Sequence, residues 1–330
     1  MHTILLRLAA ATTLLAATAA AAQQPAAAPQ PFVAGKPLGV TIDGKYEAMS
    51  RNVKVYGGVV SAESCSYDAS RGLILVVNRG AAQNEAPNDG FVSLLNHDGS
   101  VHTARWIGAT RNGLVLNQPF GSEIHRGRLY LADSDGGTAD GAPRVAVLRR
   151  FDMATGAPAG EIKVPESPWL NDIAVARDGT VYASQSGAAD GSVAMRIYKV
   201  TPSGEISVFL EGAPLSRPNG VAIDNDGNVV VLNMGDTAVL TFSPAGKLLK
   251  TEQSAQDGSD GIVIMRDGTK YVSSVSKGGV SRIRPGRPAE LIATGIPSAA
   301  SMCFDSGANQ LVIPMNPNNG VAFVKLRQAR

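Results

Sequence analysis

A short sequence pattern that returns six times constrains this chain more than any other feature. Each copy holds a slot residue, a short apolar run, a turn and a second apolar run. The clearest copies carry an Asp-Gly turn and span residues 169–185 (WLNDIAVARDGTVYASQ), 217–233 (RPNGVAIDNDGNVVVLN) and 258–274 (GSDGIVIMRDGTKYVSS). Asp-Gly between apolar runs indicates a β-hairpin, because glycine accepts the positive φ of a tight turn. Each copy therefore predicts two antiparallel strands.

Three weaker copies complete the series at residues 61–78, 119–133 and 299–315. The second strands are predicted to begin near Leu73, Arg128, Thr180, Asn228, Thr269 and Gln310. The period of roughly 41 to 55 residues is typical of propeller blades. Most repeats continue into two further strand signals, and no helical period intervenes. The pattern predicts an all-β fold, a six-bladed β-propeller of four-stranded blades over residues 53–330.

The last repeat leaves little sequence for a fourth strand. The run at residues 53–58 (VKVYGG) reads as a strand and precedes the first repeat. We expect it to form the outer strand of the last blade, because this pairing ties the chain ends together and removes an exposed sheet edge.

The first 22 residues have the pattern of a cleaved signal peptide, with Arg7 before an Ala-rich apolar stretch and small residues near Ala20 to Ala22. An uncleaved membrane anchor is the alternative. Residues 23–52 are expected to be a flexible tether followed by an irregular lead-in. The protein is therefore predicted to be periplasmic or secreted. A net charge of +2 without a basic cluster gives no support for nucleic-acid binding, and nothing specifies an oligomeric state.

Two cysteines, Cys65 and Cys303, fall in the first strands of the first and last repeats. These repeats are neighbours if the ring closes, so a disulfide is one interpretation, and an exported chain favours it. Two buried thiols are the other.

The slot residues should lie at one level around the central channel, because the first strand of each blade lines it. Glu and Asp carboxylates there would repel one another unless a cation lay between them. All-oxygen ligands suit one divalent cation, Ca²⁺ first and Mg²⁺ or Mn²⁺ next, and the lack of His and Cys argues against zinc. The alternative is that each side chain only serves its own turn. In ring order the slot residues are Glu63, Phe120, Asn171, Asn219, Asp260 and Ala300.

The motifs at these positions resemble those of the senescence-marker-protein/gluconolactonase family. They are ESCSY at residues 63–67, WLND at 169–172, PNG at 218–220 and SDG at 259–261. The resemblance implies a six-bladed propeller with a central divalent metal that hydrolyses lactones. It places Glu63, Asn219 and Asp260 on the metal and Asn171 on metal or substrate. It also makes Asp260 the general base.

Two features depart from the sugar-lactone hydrolases of that family. Trp169 stands where they usually carry a substrate-gripping arginine, and Phe120 makes one side of the channel less polar. We therefore predict that Asn171, Trp169 and Phe120 bind a small-molecule lactone or ester that is more apolar or aromatic than a sugar. The segment at residues 314–320 (PMNPNNG) is expected near the pocket mouth.

Other functions find less support in the sequence. A non-catalytic NHL-like propeller that binds a ligand or a protein is the main alternative, and a hydrolase of another ester is a second. No Gly-x-Ser-x-Gly elbow is present, and the histidines fall outside the slot positions. The acidic loop at residues 132–141 is interpreted as a solvated loop at a blade edge. The alternative is that it binds a second Ca²⁺.

Overall fold

The computed structural model describes residues 39–42, 45–48, 50–56, 58–81, 88–108, 114–137 and 141–326. These residues form strands and turns, and none of them belongs to a helix that could cross a membrane. The predicted signal peptide at residues 1–22 and the first part of the tether lie outside this range.

The first described element is an antiparallel hairpin of β1 (Gly39–Ile42) and β2 (Lys45–Ala48). It lies within the lead-in that the sequence analysis expected to be irregular. The dipeptide Asp43-Gly44 stands between its strands in the sequence, but the hairpin is short and precedes the first repeat, so the sequence analysis did not recognise it. The next strand is β3 (Val53–Tyr56).

The strands after β3 follow the repeat. Blade 1 holds β4 (Ala62–Asp68), β5 (Leu73–Asn78), β6 (Phe91–Leu95) and β7 (Val101–Gly108). Blade 2 holds β8 (Ser122–His125), β9 (Arg128–Asp135), β10 (Val145–Asp152) and β11 (Pro158–Val164). Blade 3 holds β12 (Ile173–Val175), β13 (Val181–Gln185), β14 (Arg196–Val200) and β15 (Ile206–Glu211).

Blade 4 holds β16 (Pro218–Ile223), β17 (Val229–Asn233), β18 (Ala238–Phe242) and β19 (Leu248–Gln253). Blade 5 holds β20 (Ser259–Ile264), β21 (Lys270–Ser274), β22 (Val280–Ile283) and β23 (Glu290–Ala293). Blade 6 holds β24 (Cys303–Asp305), β25 (Gln310–Met315) and β26 (Gly320–Lys325), with β3 as its fourth strand. The described strands from β3 onward thus form six four-stranded antiparallel sheets, and the predicted six-bladed β-propeller is confirmed.

Two links join the first and last parts of the chain. Strand β3 pairs antiparallel with β26, with Val53 opposite Val324 and Tyr56 opposite Val321. This pairing confirms the predicted closure. Cys65 in β4 and Cys303 in β24 form a disulfide with a Cα–Cα distance of 5.5 Å. Of the two interpretations of the cysteines, the structure has the disulfide.

The core lies between neighbouring blades. Five of the six second strands, such as LILVVN in β5, are buried along their whole length, whereas the outer strand β19 is exposed along most of it. Leu75 and Val77 of blade 1 pack with Leu129 and Leu131 of blade 2 in one buried cluster. Each such side chain contributes about 1.5–3 kcal/mol when fully buried. Burial between blades therefore holds the inner strands, and the site they carry, in position.

The glycines that follow two slot residues allow the first strands to approach closely. A Cβ on Gly220 would lie 2.2 Å from the carbonyl oxygen of Asp260, and one on Gly261 would lie 2.4 Å from the amide nitrogen of Met302. Neither contact leaves room for a side chain. The glycines of the PNG and SDG motifs therefore let adjacent blades meet at the channel.

Candidate active site

Three slot residues lie at irregularities of the first strands. The register shifts between Ala62 and Ser64 in β4, around Glu63, and comparable shifts in β16 and β20 enclose Asn219 and Asp260. An extra residue in a strand redirects its side chain away from the regular alternation. The irregularity recurs at equivalent points of three blades, so it positions the three side chains alike.

The other slot residues lie just before their first strands and not within them as expected. Phe120, Asn171 and Ala300 nevertheless donate their backbone N–H groups to the second strand of their blades. The backbone carbonyls of the slot residues link neighbouring blades. Those of five slot residues accept hydrogen bonds from the preceding blade in the ring: Phe120 from Ser64 Oγ at 2.6 Å, Asn171 from Gly121 N at 2.8 Å, Asn219 from Ser184 Oγ at 2.5 Å, Ala300 from Ser273 Oγ at 2.8 Å and Glu63 from Ser301 N at 3.1 Å.

Asn219 and Asp260 are joined side chain to side chain. Asn219 Nδ2 donates to Asp260 Oδ2 at 3.1 Å, and both residues are buried. Asn219 Oδ1 and Asp260 Oδ1 are buried without a hydrogen-bond partner in the described part of the chain. Two oxygens without a donor are costly to bury, and a cation would satisfy both.

Glu63 is the third slot residue with side-chain oxygens that suit a cation. Its carboxylate accepts a hydrogen bond from Asn316 Nδ2, and Arg79 Nη1 lies 3.7 Å from Glu63 Oε2. Burial raises the pKa of Glu63, although Arg79 and Asn316 oppose the rise. Burial also holds the pKa of Asp260 well above its usual range, and the charges of Glu63 and Asp172 add to the shift. The two carboxylates therefore influence each other, and a positive charge beside them would let both ionise.

Asn171 has a different environment. It is more exposed than Asn219, and its Nδ2 donates to Ser186 Oγ at 3.0 Å. Its side chain is therefore partly accessible to a ligand while it contacts its own blade. Ala300, the sixth slot residue, is buried and has no polar side-chain group.

Two arginines lie against the aromatic residues that the sequence analysis singled out. The guanidinium carbon of Arg79 is 4.5 Å from the centre of the Phe120 ring. That of Arg144 is 5.8 Å from the Phe120 ring and 5.9 Å from the Trp169 ring. Arg144 therefore places a guanidinium beside Trp169, whereas Arg79 lies against Phe120.

The sequence analysis missed several residues that surround the slots. Arg79, Ser186, Met234 and Asn316 each come directly after the second strand of their blade. Three of them contact a slot residue as described above, and Met234 Sδ lies 3.9 Å from Asn219 Nδ2. Their shared place in the repeat could have identified them. Asn316 also lies in the segment that was expected near the pocket mouth.

A second acidic pair occupies the channel. Asp172 Oδ2 accepts a hydrogen bond from Val221 N at 3.1 Å. Burial raises the pKa of Asp172 to about 7 and that of Glu123 to about 8, with the charge of Asp172 adding to the shift of Glu123. Both residues line a cavity of about 240 Å³, together with Tyr67 and Ser122. Glu123 was not singled out in the sequence, because its position matches no motif.

The described histidines occupy none of the slots. His97 Nδ1 is 2.8 Å from Asp305 Oδ2, His102 lies on β7 beside Thr103, and His125 ends β8. Among the described residues, no three His, Cys, Asp or Glu side chains gather as a metal site. The central set instead combines two carboxylates with amide oxygens.

The family follows from a comparison with sequence models. The model of the SMP-30/gluconolactonase/LRE-like region matches residues 123–314, more than half of the chain. The chain belongs to the SMP-30/gluconolactonase/LRE-like family. The matched region of this SMP-30/gluconolactonase-like chain contains Asn171, Asn219 and Asp260, whereas Glu63 precedes it. No curated protein matches the chain by sequence.

Solved structures share the fold of this SMP-30/gluconolactonase-like chain at low sequence identity. A gluconolactonase from Xanthomonas campestris is 17% identical, with a TM-score of 0.57, over 91% of this chain and 98% of that one. A virginiamycin B lyase from Staphylococcus aureus is 13% identical, with a TM-score of 0.58, over 84% of this chain and all of that one. At these identities the likeness concerns the fold alone, and it spans proteins with different activities.

Proposed function

We propose that the protein is an exported, metal-dependent hydrolase that opens a lactone or a related ester in the central channel. The observation that carries the proposal is the pair of buried, unpartnered oxygens, Asn219 Oδ1 and Asp260 Oδ1. The charge of the Glu63 carboxylate also raises the pKa of Asp260. Family membership and the gluconolactonase fold support the reaction class. Export rests on the pattern of residues 1–22.

The residues at the centre fit a hard divalent cation. Glu63, Asn219 and Asp260 would hold it, with Asn171 beside them, and Ca²⁺ is the first choice for such oxygen donors, ahead of Mg²⁺ and Mn²⁺. When bound, the cation supplies Lewis acidity towards the carbonyl oxygen of the substrate and offsets the buried carboxylates.

Asp260 is the proposed general base. It takes a proton from a water whose oxygen attacks the carbonyl carbon of the lactone. The ring C–O bond then breaks, and the leaving oxygen receives the proton, so that the product is a hydroxy acid. Asn219 orients the Asp260 carboxylate through its hydrogen bond. Phe120 and Trp169 bind the apolar part of the substrate.

The positions of the histidines help to distinguish hydrolase from lyase activity on this fold. One solved relative is a catalytically inactive histidine-to-alanine variant of virginiamycin B lyase with quinupristin. His97 contacts Asp305, His102 lies on the outer strand β7, and His125 ends the first strand β8 beside the turn into β9. This placement favours hydrolysis with a carboxylate base. A non-catalytic NHL-like binding propeller is the other candidate, but it has no need of buried carboxylates that oppose each other's ionisation.

The test measures metal content and turnover on the purified protein. Wild type, Asp260→Asn and the control Asp267→Asn, in an exposed turn of the same blade, are assayed on lactones and aryl esters, with EDTA and with added Ca²⁺. We expect Asp260→Asn and EDTA each to lower activity by roughly 100-fold or more, and Asp267→Asn to retain it. A wild-type protein that binds no metal and turns over no substrate would refute the hydrolase and favour the binding propeller.

A further inference from the structure

Two arginines from different blades converge on one aromatic ring. Arg79 follows β5 in blade 1, and Arg144 precedes β10 in blade 2. Their guanidinium carbons lie 4.5 Å and 5.8 Å from the centre of the Phe120 ring, and Arg144 also approaches Trp169. Cations over aromatic faces are held in place without using their N–H donors. The arrangement therefore leaves the donors of both arginines for other partners.

Those donors are underused in the described part of the chain. Arg144 Nε donates to Ser134 Oγ at 2.9 Å, but Arg144 Nη2 is buried without a partner. Arg79 Nε is also buried without a partner, and its nearest carboxylate is Glu63 at 3.7 Å. A guanidinium has five N–H donors in a planar fork that suits a carboxylate. Both arginines thus have capacity for an anion.

The surroundings supply little negative charge: Arg79 has Glu63 at 3.7 Å, and this carboxylate is also a proposed metal ligand. Among the described residues, Arg144 has no carboxylate within salt-bridge distance. Asp133 is the acidic residue whose charge acts on Arg144, but it already accepts from Arg149 Nε at 2.8 Å and from Gln118 N at 2.8 Å. Arg79 and Arg144 repel each other, so an anion between them would stabilise both.

We infer that the central site takes a substrate that carries a carboxylate beside its lactone or ester group, and that Arg79 and Arg144 bind this carboxylate. The inference names the substrate class and rests on the proposed function for the reacting group. Phe120 and Trp169 would flank the same substrate. A bound cation at Glu63 would further favour it, since Arg79 would then lose part of its interaction with Glu63.

A binding experiment tests the inference without turnover. Benzoate and its neutral counterpart benzamide are titrated calorimetrically into the purified protein, both Ca²⁺-loaded and metal-free. The proteins are wild type, Arg144→Gln, Arg144→Lys and the control Arg128→Gln, which changes an exposed arginine of the same blade. Circular dichroism checks that each variant is folded. Arg144 is chosen because it does not touch the proposed metal ligands.

We expect wild type to bind benzoate about tenfold or more tightly than benzamide, with or without Ca²⁺. Arg144→Gln should remove most of this preference, Arg144→Lys should restore part of it, and Arg128→Gln should leave it unchanged. Equal affinity for the two probes, or an equal loss of both in Arg144→Gln, would overturn the inference. A preference for benzoate that requires Ca²⁺ and is unchanged in Arg144→Gln would also overturn the inference.

A kinetic experiment separates this inference from the proposed function. A γ-lactone bearing a ring carboxylate and the matching carboxamide are compared as substrates. We expect kcat/KM to favour the carboxylate by about tenfold in wild type and to lose this preference in Arg144→Gln. Equal turnover of both lactones would leave the hydrolase standing and refute the carboxylate site. If neither lactone reacts while benzoate binding still depends on Arg144, the site is supported and the hydrolase fails.

Discussion

Asn219 of blade 4 donates a hydrogen bond to Asp260 of blade 5 at 3.1 Å, and each side chain keeps one buried oxygen free of partners among the described residues. The contact crosses from β16 to β20, so it depends on the packing of two blades. A cation that joined the two free oxygens would add a further link between these blades.

The first prediction concerns metal-dependent stability. Ca²⁺ at about 100 times its dissociation constant should stabilise the fold by about 2.7 kcal/mol, which raises the Tm by roughly 5–10 °C. Asn219→Ala should abolish most of this rise because it removes one ligand. Asn228→Ala, in the turn of the same blade, is the control and should keep the rise. Thermal unfolding with EDTA and with Ca²⁺ measures it, and an unchanged Tm in wild type would contradict the metal site.

The second prediction concerns pH. Burial raises the pKa of Glu123 to about 8, so the folded state holds a proton that the unfolded state releases above about pH 4.5. Its stabilising contribution is present below that pH and is lost as the pH rises to about 8. Glu123→Gln should therefore gain stability over wild type between pH 5 and pH 8.5, by at least about 1 kcal/mol.

Denaturant unfolding at both pH values measures this gain. Glu205→Gln, in an exposed turn, serves as the control and should show none. A gain of equal size at pH 5 and pH 8.5 would mean that Glu123 affects stability through packing and not through its ionisation.

The third prediction concerns ring closure. Deleting residues 53–58 removes the strand that pairs with β26 and exposes a sheet edge of blade 6. We expect a loss of more than about 3 kcal/mol from lost hydrogen bonds and burial, with a Tm lower by roughly 6 °C or more. Deleting residues 39–48, whose two strands pair with each other, should cost much less. Equal Tm values for the two deletions would show that closure by β3 is unimportant.

The fourth prediction concerns the glycine of the PNG motif. Gly220→Ala places a Cβ against the carbonyl of Asp260, so the two blades must separate. We expect a loss of about 1–3 kcal/mol and weaker Ca²⁺ binding, because Asp260 moves. Gly227→Ala has a positive φ but open space, so it should destabilise without changing Ca²⁺ affinity. Calorimetric titration of Ca²⁺ distinguishes the two effects.

The architecture was readable from local patterns. Asp-Gly turns between apolar runs mark hairpins through the φ preference of glycine, and the strand starts recur at blade spacing. The run at residues 53–58 could be assigned to the last blade because a ring with a missing strand leaves an open edge. The slot residues followed from the same repeat. Their proposed roles on a metal and a substrate stay predictions.

The tertiary structure decided which residues from different blades meet. The sequence left the cysteines with two interpretations, and the packing of blade 6 against blade 1 brings their Cα atoms to 5.5 Å. Arg79 and Arg144 are 65 positions apart in the chain, and no local pattern predicts that both lie over Phe120. Contacts of this kind depend on the distance between blades and the path of the loops that join their strands. The chain alone determined the repeat and the hairpins, because these depend on neighbouring residues. The charge and shape of the site arise only when six blades pack around one axis.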